Sequence, residues 1–349
     1  MTKIFILNIF FCFSYLNGIA QINKSELFGL WTKTKIDMKD GSQYISYYPS
    51  DKRYIEFDFR ENQYLFNIYP AIKGKEANYN YVLNGNKIIV SRNFEYIIEK
   101  LEQDSLIIVE QMEGLSDDKL KRYYLTRKSI LRDQFKRNEP NDSILKATQF
   151  YTPKYKGNLT LDLNNKLKNQ LGIALISGVL TLQIKNKTSI ITVSESESTN
   201  NKLTESVIKV LEKSYRKWDL RDFKNYKEIV IPFIISIKNK GKSRMCKIKL
   251  FSQSINDLNA DYGKPYENIT ESGKHFDLGI KSYSESSYEK AIEYFSKSIE
   301  WDHSFIDALY NRAASYSANN QQDLACKDWQ KLIELGQVKA AKLLNKYCK

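Results

Sequence analysis

The stretch FDLGIKSYSESSYEKAIEYFSKSI, residues 276–299, and the stretch YNRAASYSANNQQDLACKDWQKLI, residues 310–333, carry one pattern twice. Laid over each other at an offset of 313 − 279 = 34 residues, Gly279 falls on Ala313, Ala291 on Ala325, Phe295 on Trp329 and Ile299 on Ile333. Small residues at two fixed places let a pair of helices approach closely, and the aromatic that follows fills the space against the next helix. The spacing predicts helices near 272–284, 287–300, 304–317, 320–334 and 337–347, the last a cap with Lys339, Lys342 and Lys346 turned outward. Two repeats and a cap bury little by themselves, so this tail is expected to lean on the middle domain or to self-associate.

The 34-residue period, Leu278-Gly279, Asn311-Arg312-Ala313 with Tyr316, and Asp302-His303 where Asp-Pro commonly closes a repeat resemble the tetratricopeptide (TPR) family. The resemblance implies an α-helical TPR array over 272–348, with the first helix of each repeat lining a concave face. The matching positions are Phe276, Ile280, Tyr283, Tyr310, Asn311 and Ala314. Of these Phe276, Tyr283, Tyr310 and Asn311 are the candidate peptide-binding residues; the competing reading is that aromatics at helical spacing simply pack. Some family members hold a C-terminal carboxylate with a basic clamp. It is not matched, because Phe276 and Ile280 stand where Lys and Asn would be needed.

Outward from the tail the period changes. Residues 26–127 contain short alternating or aromatic-rich stretches (Leu30–Ile36, Tyr54–Phe59, Tyr64–Tyr69, Tyr79–Leu83, Lys87–Ser91, Phe94–Glu99, Ser105–Gln111, Arg122–Thr126) with Asp40-Gly41 and Asn84-Gly85 as turn signals. Such strands hide one face by closing into an antiparallel β-barrel or a small sandwich. Gly29-Leu30-Trp31 on the first strand and Arg127 after the last resemble the small lipocalin-like domains of exported bacterial proteins, which implies a Trp closing the barrel with the Arg packed over it. This first domain is placed at 22–128. Two readings follow for its interior, a filled barrel and one with a ligand cavity. Residues 129–150 are polar and read as a linker with a short helix at most.

The middle segment, 151–253, reads as α+β: extended stretches at 178–185 and 189–194, a helix over Leu203–Leu220, and a hairpin of 228–237 with 245–251. Ile190-Ile191-Thr192-Val193-Ser194-Glu195-Ser196, Lys217-Trp218 and Ile229-Val230-Ile231-Pro232-Phe233 resemble the C-terminal domain of TonB-type proteins. That resemblance implies a sheet edge able to receive an extended peptide, in the family one from an outer-membrane receptor. No Pro follows Trp218 in the usual place, and no Pro-rich spacer is present.

The ends and the composition bound the function. Residues 1–20 read as a signal peptide, with Lys3 as its sole charge, an apolar run Ile4–Tyr15, and small residues at Gly18-Ile19-Ala20. Without Lys3 the formal charge of +13 becomes 13 − 1 = +12. The lysines are scattered and no Arg-rich aromatic stripe is present, so a solvated basic surface is expected and no nucleic acid partner. Three cysteines follow the signal. Cys326 and Cys348 could pair, leaving Cys246 free; the alternative is three buried thiols. Two histidines, and no phosphate loop, nucleophile elbow or Cys-x-x-Cys, leave no catalytic residues, cofactor or metal to nominate. The expectation is a multidomain, non-catalytic adaptor, exported to the periplasm or cell envelope of a Gram-negative bacterium. It would bind a protein or peptide, with an envelope or outer-membrane protein as the candidate partner. The alternatives are a small-molecule carrier working through the barrel and a TonB-like receptor contact.

Overall fold

Alternation in the first domain becomes strands that share one curled sheet. The computed structural model describes residues 22–45, 54–73, 76–138, 143–241, 243–261 and 266–348; the signal-peptide reading of 1–20 falls outside them. A one-turn helix α1 (Lys24–Leu27) leads into β1 (Gly29–Met38), β2 (Glu56–Phe59), β3 (Gln63–Asn67), β4 (Ile72–Lys73), β5 (Ala77–Asn80), β6 (Val82–Asn84), β7 (Lys87–Ser91), β8 (Phe94–Leu101), β9 (Ser105–Met112) and β10 (Lys121–Arg127). All but β4 form an antiparallel sheet in the order β5-β3-β2-β1-β10-β9-β8-β7-β6. β5 and β6 stand at opposite edges, yet Tyr81 alone separates them in sequence, so the sheet curls until its edges meet in a nearly closed barrel.

Aromatic rings fill the interior. Phe57 lies 5.7 Å from both Tyr64 and Tyr123 and 6.0 Å from Tyr96, ring to ring. Trp31 is fully buried and donates its indole N–H to the Leu27 carbonyl at 2.7 Å. The Arg127 guanidinium sits 3.7 Å above the indole and donates to the Phe28 and Glu26 carbonyls. Gly29, at φ +110°, is required there: a Cβ would approach Arg127 Nη1 to 3.0 Å in a backbone conformation that L side chains avoid.

The stretch expected to be a linker is more structured than its polarity suggested. It holds α2 (Lys128–Asn138) and β11 (Ile144–Lys146), and β11 pairs in parallel with the middle sheet, so residues 144–146 belong to the middle domain. A three-residue strand is too short to show a period of two. β12 (Lys154–Lys156) then pairs with β4 of the first domain, locking the two domains edge to edge.

The middle domain continues with α3 (Leu159–Lys166), β13 (Gly172–Gln183), β14 (Thr188–Ser198), α4 (Asn201–Glu212), β15 (Trp218–Asp219), β16 (Glu228–Asn239), β17 (Arg244–Leu250) and α5 (Ile255–Asp261). Its sheet runs β11-β16-β13-β14, with β17 also on β16. Leu203, Val207 and Leu211 lie on one face of α4 and bury it against the sheet. The helix stops at Glu212, eight residues before the expected Leu220. Trp218 is pulled into an extended segment, where its indole N–H donates to Ser214 Oγ at 3.1 Å and its ring meets Tyr155 at 5.1 Å. That tertiary contact overrides the helical spacing.

The tail consists of α6 (Tyr266–Ser284), α7 (Tyr288–Trp301), α8 (Ile306–Ala318), α9 (Gln322–Glu334) and α10 (Val338–Tyr347). Ala291, Ala313 and Ala325 are fully buried between helices. A Cβ on Gly279 would come within 2.5 Å of the Phe295 ring, which is why glycine stands where the second repeat has alanine. A disulfide joins Cys326 and Cys348; Cys246 is a free thiol whose ionisation burial pushes up to about 12.

Candidate functional site

The tail was expected to lean on the middle domain or on a second copy. It is the first domain that holds it. Asp40 accepts from the backbone N–H and hydroxyl of Ser42, shaping the turn after β1. Ser42 Oγ in turn accepts the Val338 N–H at 3.0 Å, capping α10 from another domain. Gln43 N–H donates to the Gly336 carbonyl at 2.9 Å, and Gln337 Nε2 donates to the Gln43 carbonyl at 3.2 Å. Gly336, at φ +72°, leaves room for this approach; a Cβ would meet Gln43 Cβ at 2.7 Å. Lys119 of the β9–β10 connection forms an ion pair with Asp307 on the first turn of α8. Between the two bodies lies a cavity of about 200 Å³, lined among others by Met38, Tyr44, Phe305 and Gln337.

The four candidate residues separate on this frame. Tyr310 is half-buried at the domain contact. Its ring lies 5.6 Å from Lys339 Nζ, and burial, followed by the charges of Asp118 and Asp40, pushes its hydroxyl up to about 12. Asn311 turns back into its own helix and donates to the Asp307 carbonyl at 2.7 Å. Phe276 is partly buried, its ring 4.9 Å from Phe305 and 5.7 Å from Phe295, so it packs α6 onto its neighbours. Tyr283 is 36% exposed and meets Tyr288 at 5.5 Å. One turn before it on the same face is Ile280, 41% exposed. Thus Phe276, Ile280 and Tyr283 form one stripe along α6, buried at its N-terminal end and open beyond, while Tyr310 and Asn311 do not contribute a free surface.

Sequence reasoning missed one element of this architecture. Arg312 donates to Asp328 through Nε at 2.8 Å and Nη2 at 2.7 Å, and through Nη1 to Ser296 Oγ at 3.1 Å, tying α7, α8 and α9. Burial works against the guanidinium charge, but the Asp328 hydrogen bonds and charge outweigh it and hold Arg312 above its ordinary range. The sequence signal was an Arg and an Asp 328 − 312 = 16 residues apart on facing helices, meaningful only once those helices are paired.

Barrel, sheet domain and five-helix tail together define a multidomain chain with a helical tail fastened to its first domain. No known family profile matches the chain. A curated protein, the Protein STIP1 homolog of Dictyostelium discoideum, is 38% identical to it over 69 residues, which is 20% of this chain and 12% of that protein. The chain therefore spans only a small part of the length of the relative it matches.

Proposed function

We propose that the tail is a tetratricopeptide array and that the chain is a non-catalytic adaptor which binds a peptide segment of another protein. The observation that carries this reading is the open apolar stripe Ile280–Tyr283 on α6, set on a helical tail whose other side is fixed to the barrel. The likeness to the STIP1 homolog and the 34-residue repeat support it. The peptide would lay apolar side chains against the stripe, a helical-groove mode of recognition. The signal-like sequence at 1–20 supports export to a Gram-negative periplasm or envelope, with an envelope protein as partner. The lipocalin-like barrel, filled by its own rings, would serve as the tail's mount and not as a carrier.

The test uses a displayed peptide library selected on the mature chain, then isothermal titration of the chosen peptides. Ile280→Ser/Tyr283→Ser should weaken them about tenfold or more while leaving the melting temperature within a few degrees. Unchanged affinity in that variant would remove the α6 stripe from the reading.

A second reading rests on β14, which pairs only with β13 among the described strands and exposes most of its side chains. A partner strand could extend the sheet there, as in TonB-like receptor contact. Ile191→Pro, which removes a backbone donor facing the open edge and spares the β13 ladder, would abolish binding under this reading and leave the α6 peptides unaffected.

A further inference from the structure

A cleft of about 430 Å³ opens between α3 and the C-terminal end of α4 in the middle domain. Four lysines converge on it from separate elements: Lys166 closes α3, Lys209 lies in the last turn of α4, Lys213 follows that helix, and Lys217 ends the next short turn. One acidic residue, Asp162, shares the lining, so these groups sum to 4 − 1 = +3. Its charge is already engaged. Asp162 Oδ2 is 2.7 Å from Lys217 Nζ and accepts the Tyr155 hydroxyl at 2.6 Å. Burial favours the neutral carboxyl, but the hydrogen bonds from Lys217 and Tyr155 and the Lys217 charge hold it below its ordinary range.

Lys209 has a solvent-exposed pairing with Glu205 at 3.9 Å, which is worth little in water. Lys166 and Lys213 have no ion-pair partner among the described residues. The floor is firm: Tyr155 and Ser214 are each 1% exposed, held by the Asp162 and Trp218 hydrogen bonds. We infer that this cleft binds a small ligand bearing two linked phosphate groups, a pyrophosphoryl compound.

Three considerations favour that class. The volume lies within the roughly 300–1,000 Å³ of small-molecule sites. The positive groups are all lysines, compact point charges suited to phosphate oxygens, with no guanidinium fork for a planar carboxylate. Unsatisfied ammonium groups from two helices face one concavity, which a single phosphate would neutralise only in part. Lysines near helix C-termini also complement the macrodipole. That role alone would make substitution a matter of stability and not of binding.

The experiment titrates inorganic pyrophosphate into the full mature chain by calorimetry, alongside Lys166→Gln/Lys213→Gln and a control of equal charge change on the tail, Lys290→Gln/Lys327→Gln. The expected result is saturable one-site binding that weakens about tenfold or more in the cleft variant and by less than about twofold in the control, with melting temperatures unchanged. Absence of binding, or equal weakening in both variants, overturns the proposal. A nucleoside diphosphate and vesicles doped with a polyprenyl pyrophosphate then separate a free source from a lipid-borne one, tighter binding to either naming it. Failure here leaves the α6 peptide reading untouched, because the two sites lie in different domains.

Discussion

Glu56 is 2% exposed on β2, with Lys128 Nζ and the Tyr54 hydroxyl each 2.5 Å from its Oε2. Burial alone would push its carboxyl up. The Lys128 charge and the hydrogen bonds from Lys128 and Tyr54 outweigh that and leave it below its ordinary value. A folded-state value below the unfolded one means that the ionised group stabilises the protein above about pH 4 and loses that contribution as pH falls through the folded value. Urea titrations should therefore show Glu56→Gln less stable than the native chain at pH 7, with the gap shrinking from pH 5 to pH 3. A gap constant with pH would mean that the ion pair contributes nothing. Gly279 makes a second prediction at this scale. Gly279→Ala should cost about 1–3 kcal/mol by overpacking Phe295, and Gly279→Ala/Phe295→Leu should recover part of it, as thermal melts of both will tell. Single residues were unevenly legible. Gly29, Trp31 and Arg127 could be read together because their resemblance to small lipocalin-like domains implied an Arg packed over the Trp, and the Arg127 guanidinium does lie 3.7 Å above the Trp31 ring. Arg312 and Asp328 could not, since their pairing depends on a helix crossing that spacing alone does not set.

At the scale of elements, the capping of α10 is supplied from outside the helix. Its own preceding residue, Gln337, makes no side-chain cap, and Ser42 takes the Val338 N–H instead. Ser42→Ala should cost about 1 kcal/mol and speed hydrogen exchange at Val338, while amides at the middle of α8 stay protected. Equal acceleration along the whole tail would show that the cap does not act locally. The longer strands of the barrel and the five tail helices were legible because each repeats its apolar period, whereas Tyr79–Leu83, read as one strand, is split at Tyr81 into β5 and β6 on opposite edges. β4, β11, β12 and β15 were not: each is two or three residues long, and such ladders are specified by where the neighbouring domain brings a partner. The reading of α4 through Leu220 erred for a related reason, because Trp218 continues the helical pattern but gains more from Tyr155 and Ser214 than from another turn.

For the whole molecule, the decisive residue is Gly336. Gly336→Ala would place a Cβ against Gln43 and force a left-handed backbone worth about 1–2 kcal/mol of strain. Small-angle scattering should then report a larger radius of gyration, with the circular dichroism of barrel and tail preserved. An unchanged radius would mean that Lys119–Asp307 and the rest of the contact suffice. That a strand-rich first part precedes a helical tail was legible from composition and period; the closure of the first domain on the last was not, because nothing local to residues 39–45 announces a partner nearly three hundred positions away.

Ser42 and Val338 are 296 residues apart in the chain. A polypeptide emerging N-terminus first can complete its barrel early, but the rim beside Ser42 and Gln43 stays bare until the turn that precedes α10 arrives. Closing so long a span costs only a slowly growing entropy once the intervening domains are compact. The contact therefore joins early and late parts of the chain: without residues 336–338 the Gln43 N–H and carbonyl and the Ser42 hydroxyl would lose the partners that seal this seam.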